Sequence, residues 1–179
     1  ATSARIQAMR PADMAAHDVG LMLANGHRLY TVEQGIAIIP VLGSLVQNFP
    51  YLGFDFATGY DTLSAQIAQA MADGDVRAIA FRIASPGGMV AGLFDLTDQI
   101  EAGRDDHGKP ILAVLDDFAY SAAYAIACTA DQISVPRMGG LGSIGVISVH
   151  AEFSKMLESE GIAVTVMRAG ERKARGNML

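Results

Sequence analysis

Asp116–Ser143 reads D-D-F-A-Y-S-A-A-Y-A-I-A-C-T-A-D-Q-I-S-V-P-R-M-G-G-L-G-S, and the interpretation of this stretch decides the fold. The apolar run Ile111–Leu115 just upstream has the length and composition of a buried strand. Ala122–Ala130 downstream is a small-residue segment that reads as a helix. Ser121 stands at the corner between them. A serine at a strand-to-helix turn exposes its hydroxyl, and the first N–H groups of the helix lack intrahelical partners and face an anion. Acyl-transfer enzymes place a nucleophile in such a position. Taken alone, Ser121 reads first as an ordinary helix N-cap, which most serines at helix starts are.

Working outward, strand and helix patterns alternate. Leu29–Val32 and Gly35–Leu42 read as strands, with Pro40 suggesting an edge or a strand end. Gly43–Gly59, with its glycines, Pro50 and four aromatics, reads as a long loop. A helix follows to Gly74, with Leu63, Ile67, Ala70 and Met71 on one face. Ala78–Ile83 is a short apolar strand, and about Val90 to Ala102 a helix with Val90, Leu93, Thr97 and Ile100 inward. Within the opening stretch Gln132–Val135 is β-like; beyond it Ile144–Val149 and Ala163–Met167 are β-like, and Phe153–Glu160 is helical. Such alternation predicts an α/β domain with parallel pairings.

Composition bounds the possibilities. With 179 residues, 51% hydrophobic and 18% charged, the chain is long enough for one globular core. A net charge of −6 argues against a nucleic-acid partner. The single cysteine, Cys128, excludes an internal disulfide and reads as a core residue of the helix. No stretch reaches the ~20 apolar residues that span a bilayer, and no signal peptide is visible. A start at Ala1 without methionine and a stop at Leu179 read as a fragment or processed product.

Ser85-Pro-Gly-Gly88 closes the Ala78–Ile83 strand. Proline removes one donor, and two glycines let backbone N–H groups turn toward one point, as a nest for a developing oxyanion requires. An ordinary Pro-Gly turn is the plain alternative. Gly140-Leu-Gly-Ser-Ile-Gly145 matches the dinucleotide-binding pattern, but that fingerprint needs a helix to open at its third glycine, and Val146–Val149 is β-branched. The glycines therefore read as close backbone packing beside the site.

A serine nucleophile needs a base. Of the four histidines, His17, His27 and His107 lie in polar or poorly patterned segments and read as solvated, while His150 is near the end of a β-like run. Lys173 lies in Arg168-Ala-Gly-Glu-Arg-Lys-Ala-Arg-Gly-Asn177. A free lysine titrates at about 10.4, so a lysine base must be desolvated or set among other cations. Arg172 and Arg175 favour this, Glu171 opposes it, and the plain reading is a solvated basic turn.

Three segments in order then resemble one family: Ser85-Pro-Gly-Gly88; Tyr120-Ser-Ala-Ala-Tyr-Ala-Ile-Ala127 with Ala130-Asp131; and Gly142-Ser-Ile-Gly-Val146. They are similar to the signal peptide peptidase family of Ser/Lys proteases, and Ala169-Gly-x-x-Lys173 with Gly176-Asn177 is similar to its lysine motif. The resemblance covers roughly Gly35–Asn177. The segment H-R-L-Y-x-V-x-x-G-I-A-I-I-P-V-L-G, the loop before Tyr60-Asp61 and Lys-Ala-x-Gly-Asn look most like its phage and prophage branch, the capsid assembly proteases.

The resemblance implies a Clp/crotonase-like α/β fold of repeated ββα units. It divides the chain into an N-terminal arm, 1–34, and a peptidase domain, 35–179, truncated at its C-terminus. It implies Ser121 as nucleophile, Lys173 as general base, and Ser143 as the residue that orients the lysine. The N–H groups of Gly88 and Ala122 match the oxyanion hole, and Gly87, Met89, Val90 and Tyr120 are expected to contact an extended peptide. His150 lacks the spacing and flanking residues of the histidine in Clp-type proteases. Ala84 departs from the family, which has an acidic residue or asparagine before Ser-Pro-Gly-Gly.

The expected protein is a serine endopeptidase with a polypeptide substrate, a scaffold or head protein. No cofactor or metal is implied. A homo-oligomer is expected, with the aromatic stretch Phe49–Tyr60 offering exposed apolar contacts. The expected location is cytoplasmic, within an assembling procapsid. The alternatives are a membrane-associated signal peptide peptidase lacking its anchor here, a crotonase-like acyl-CoA enzyme, and an inactive capsid component.

Overall fold

The structure is a computed structural model, and it describes residues 17–167 together with 169 and 170. The chain divides into two compact units, Ala1–Gly145 and Val146–Leu179.

The first unit is built on a seven-stranded sheet. Its elements, in order, are α1 (Val19–Ala24), β1 (Thr31–Glu33), β2 (Ile36–Val46), β3 (Ala57–Gly59), α2 (Tyr60–Ala72), β4 (Ala78–Gly88), α3 (Leu93–His107), β5 (Ile111–Tyr120), α4 (Ala122–Cys128), β6 (Gln132–Ser134) and β7 (Gly140–Gly142). Three long parallel strands, β2, β4 and β5, form the centre. Each outer edge is shared by two short strands, β1 and β3 on β2, and β6 and β7 on β5. β1 alone is antiparallel, joined to β2 by a tight turn in which Gln34 and Gly35 both have positive φ. The α/β expectation is met. β2–β3–α2 is a ββα unit, and β4–α3 and β5–α4 repeat its strand-then-helix course.

Period-two alternation buries one face of each central strand. Ile39 and Val41 of β2, Phe81 and Ile83 of β4, and Ile111 and Ala113 of β5 are fully or almost fully covered. Leu63, Ile67, Ala70 and Met71 of α2 bury themselves as their helical spacing predicts. In α3 the buried residues are Leu93, Leu96 and Ile100, whereas Val90 precedes the helix and is exposed. Asp131 ties the end of α4 to the start of β5: its carboxylate accepts from the Ile111 N–H at 2.8 Å, and its own N–H donates to the Ile111 carbonyl at 2.9 Å.

Several sequence expectations are corrected. β2 runs through Pro40 and Gly43 to Val46, so part of the expected Gly43–Gly59 loop is strand, as is Ala57–Gly59. Pro40 is tolerated because it falls between the last residue paired with β1, Ile38, and the first paired with β3, Ser44. No ladder donor is needed in that gap. The next group on the same edge, Leu42, is served by a side chain instead: its N–H donates to Thr58 Oγ1, whose hydroxyl donates back to the Leu42 carbonyl.

The aromatics of this segment do not form an exposed patch. The Phe49 ring meets those of Tyr51, Phe54 and Phe56 at centroid distances of 5.4–5.9 Å, and Phe49 is buried. His17, expected to be solvated, packs against Phe54 at 5.2 Å. Cys128 is exposed rather than core. The buried face of α4 is Ala122, Ala123, Ile126 and Ala127, and two residues past Ile126 the helical turn carries Cys128 away from it.

In the second unit, α5 (Ser154–Ser159) is present as expected. Neither Ile144–Val149 nor Ala163–Met167 is a strand. β-branched composition supplies propensity, but a strand exists only through its ladder, and no described strand pairs with either segment.

Candidate active site

Ser121 begins with β5. Opposite Ile83 and Ser85 of β4 stand Leu115 and Ala119, so β5 spends four residues where β4 spends two. Such an irregularity bends a strand and re-aims the residues beyond it. β5 then ends at Tyr120, and Ser121 turns the chain into α4 with φ +53° and ψ −121°. Its carbonyl accepts the helix's first hydrogen bond, from the Ala125 N–H at 3.0 Å, and its N–H donates to the Gly142 carbonyl at 2.7 Å. Its side chain makes no capping hydrogen bond. The plain N-cap reading therefore fails: the residue sits at the cap position while its hydroxyl is kept out of the helix's service.

Positive φ is costly for a residue with a Cβ and is found where surrounding structure enforces it. Among the described residues three non-glycines have it: Gln34, Ser121 and Ser143. Gln34 is explained by its hairpin turn. The other two lie side by side. β7 pairs Gly142 with Tyr120 in parallel register, so Ser143 leaves its strand beside the point where Ser121 leaves β5. Neighbouring strands lie about 4.8 Å apart, which sets the scale of their separation. Of the two glycines of β7, Gly140 is the one packed close to β5, whereas a Cβ at Gly142 would meet open space. At Gly140 a side chain would collide with the Tyr120 hydroxyl. Tyr120 in turn stacks on Phe118, with centroids 5.2 Å apart and planes 13° from parallel.

The Ser-Pro-Gly-Gly turn approaches Ser121 from β4. Gly87 has φ +91°, and a Cβ there would stand 2.6 Å from the Tyr120 carbonyl oxygen, 2.8 Å from Ser121 Cβ and 3.0 Å from the Ala122 nitrogen. Only a glycine fits against the corner. At Gly88 a Cβ would run into the Leu45 carbonyl. The turn is fixed by Ser85, whose buried hydroxyl donates to the Gly43 carbonyl at 2.7 Å and accepts the Gly87 N–H at 3.1 Å. The Met89 N–H donates to the Leu45 carbonyl at 2.9 Å, and the Tyr60 hydroxyl donates to the Met89 carbonyl at 2.6 Å. Met89 and Val90 are exposed.

Tyr120, Ser121, Ala122 and Ser143 are thus brought together with Gly87, Gly88 and Met89, and Val90 continues from them. Ser85 and Tyr60 are supporting residues that the sequence reading missed. Ser85 stood in the quoted motif and its hydroxyl was the available signal, whereas Tyr60 enters the sequence reading only as the end of the branch-like loop and of the aromatic stretch, with no sign of a role at the site.

Lys173 lies outside the described residues. The chain has two other lysines, Lys109 and Lys155. Lys109 spends its ammonium on the Ala70 and Asp73 carbonyls at the end of α2, at 2.9 and 2.7 Å. Lys155 is on α5 of the second unit. His150 belongs to the second unit and is exposed; the carboxylate of nearby Glu152 is held below its usual range by its hydrogen bonds to Ser154, with the imidazole a smaller influence. The acids that open the quoted stretch are not part of the corner. Asp116 pairs with Arg82 at 2.7 Å, and this carboxylate raises the guanidinium's affinity for its proton.

Residues 103–179, which contain Ser121, Ser143 and Lys173, match peptidase family S49. The chain is 39% identical to the head-tail preconnector protein GP5 of Enterobacteria phage P21, over 84% of this chain and 30% of that protein. It is 38% identical to the capsid assembly protease C of Escherichia phage lambda, over 84% of this chain and 34% of that protein. Protease 4 of Haemophilus influenzae is 28% identical over 74% of the chain and 21% of its own length. The chain therefore spans about a third of the two phage relatives. Among solved structures, a probable enoyl-CoA hydratase from Mycobacterium smegmatis is similar over 63% of this chain and 50% of its own, at 17% identity and a TM-score of 0.48. A ClpP1 mutant from Listeria monocytogenes is similar over 52% of this chain and 46% of its own, at 18% identity and a TM-score of 0.37. The motifs that resembled a Ser/Lys protease family, the corner they build and the sequence relatives agree, and the chain belongs to peptidase family S49.

Proposed function

We propose that this chain is a serine endopeptidase acting through a Ser121–Lys173 dyad, and that its substrate is a scaffold or head protein of an assembling phage capsid. The observation that carries the chemistry is the corner itself. Ser121 is held at positive φ with its hydroxyl outside the helix's hydrogen bonds, Ser143 stands beside it, and Gly87 is packed against it. The substrate class is supported by the names of two relatives, a capsid assembly protease and a head-tail preconnector protein.

In this reading the Ser121 hydroxyl attacks the scissile carbonyl and neutral Lys173 takes its proton. Ser143 accepts a hydrogen bond from the lysine and keeps it aimed at Ser121. The carbonyl oxygen, now an anion, is met by the N–H groups of Gly88 and Ala122. The protonated lysine then donates to the leaving amine, and water releases the acyl group by the same path in reverse. The peptide lies extended along Gly88–Ala91, adding a strand. The protein works as a homo-oligomer inside the procapsid.

Lys173→Arg tests the dyad. Arginine keeps the charge and cannot deprotonate in this pH range, so the variant is expected to be folded and inactive. In the parent, the ascending limb of kcat/KM against pH should fall below the roughly 10.4 of a free lysine, because desolvation and nearby arginines disfavour the ammonium. His150→Ala should leave that limb in place. An active Lys173→Arg, or a limb near 6.5 that vanishes in His150→Ala, overturns the assignment.

A further inference from the structure

The segment just after the oxyanion turn is held from beneath by one side chain. Tyr60 is buried at the start of α2, and its hydroxyl reaches the Met89 carbonyl at 2.6 Å. Its ring closes the far end of the same segment. Gly92 has φ +86°, and a Cβ there would stand 3.3 Å from Tyr60 Cδ2. One residue thus touches both ends of Met89–Gly92.

This contact settles which backbone groups are offered outward. The Met89 N–H is taken by the Leu45 carbonyl and the Met89 carbonyl by Tyr60. Upstream, the Gly87 N–H is taken by Ser85 Oγ. In an extended segment the groups of alternate residues face opposite edges. With Met89 satisfied on the β2 side, the outward group at the strand end is the Gly88 N–H; beyond Met89 the chain turns, and the Val90 carbonyl accepts the Leu93 N–H at 3.1 Å.

We infer that Tyr60 is a positioning residue of the peptidase, which fixes the register of the substrate-binding segment and aims the Gly88 N–H at the oxyanion. The inference rests on the peptidase reading above and adds to it a residue outside the family motifs quoted for the site. Burial pushes the Tyr60 phenol up to about 12, so it remains a donor throughout the range in which a peptidase works.

Tyr60→Phe removes the hydroxyl and keeps the ring against Gly92. Two readouts are needed. The first is amide hydrogen exchange: Met89, whose N–H is bonded to the Leu45 carbonyl, should exchange about tenfold faster, the scale of losing one buried hydrogen bond, while Leu63 and Ile67 in α2 stay protected. The second is kinetic. On a chromogenic peptide ester, kcat should fall about tenfold with KM unchanged, less than the 10²–10³ of deleting an oxyanion donor because the donor is only misaimed. Affinity for a peptide boronate, which forms a tetrahedral anion on the serine, should fall by the same factor.

Unchanged exchange at Met89 overturns the inference, as does faster exchange with an unchanged kcat, or a loss confined to KM. A general acceleration that includes Leu63 and Ile67 would show a structural role and also overturn it. Ser121→Ala, assayed alongside, separates this from the underlying reading. If the alanine variant cleaves at the parent rate, the peptidase assignment fails, whereas exchange at Met89 still reports whether Tyr60 holds the segment.

Discussion

Ser121→Ala is expected to abolish peptide cleavage, with kcat falling on the order of 10⁴- to 10⁶-fold, the range seen when the nucleophile of a serine peptidase is removed. The protein should remain folded. The Ser121 side chain makes no capping hydrogen bond, and the backbone contacts of the corner, to Gly142 and Ala125, do not involve it. Alanine keeps the Cβ and the same unfavourable φ, so the strain is carried equally by both variants. Fragments of a co-expressed head or scaffold protein tracked on a gel, with a thermal melt of the purified variant, check both halves. Loss of cleavage together with loss of the melting transition would leave the corner without its assigned role, because serine would then be needed for folding.

The second large effect is expected at Gly87, through its backbone. Alanine at this position must hold φ +91° and put a methyl group 2.6 Å from the Tyr120 carbonyl oxygen and 2.8 Å from Ser121 Cβ. Neither neighbour is the end of a flexible side chain, so β4 or the corner itself must move. Overpacking of this kind costs about 1–3 kcal/mol, and the left-handed conformation adds about 1–2 kcal/mol. Displacing a nucleophile by about 1 Å from its oxyanion donors is expected to lower kcat by about 10²-fold. Gly74→Ala is the control, since a Cβ there meets nothing within 4 Å. Urea unfolding and peptide-ester kinetics on the two variants separate the effects. Parent-like activity in Gly87→Ala would show that the turn does not support the site.

The alternation of strand and helix was legible because each central strand is an apolar run and α2 has a clean helical stripe. Ser121 was legible for the same reason: a strand pattern ends and a small-residue helix begins on either side of it. The course of β2 was not legible. Pro40 and Gly43 are strand breakers by composition, and only the sheet reveals that one falls in a gap between β1 and β3 and the other lies against the Phe56 backbone. Ile144–Val149 shows the reverse error, since β-branched residues announce a preference that no strand among the described residues completes. The supports of the site were hidden differently. Ser85 and Tyr60 act through contacts 42 and 29 residues away in sequence, which no local pattern encodes. Cys128 was misplaced because a seven-residue helix buries only a narrow face.

The central claim is that Ser121 is the nucleophile. A fluorophosphonate reacts covalently with the activated serine of such enzymes, and peptide mass spectrometry locates the adduct. The expected result is a single adduct on the peptide carrying Ser121, absent from Ser121→Ala and greatly slowed in Lys173→Arg. An adduct on a different serine, or undiminished labelling in Ser121→Ala, would contradict it.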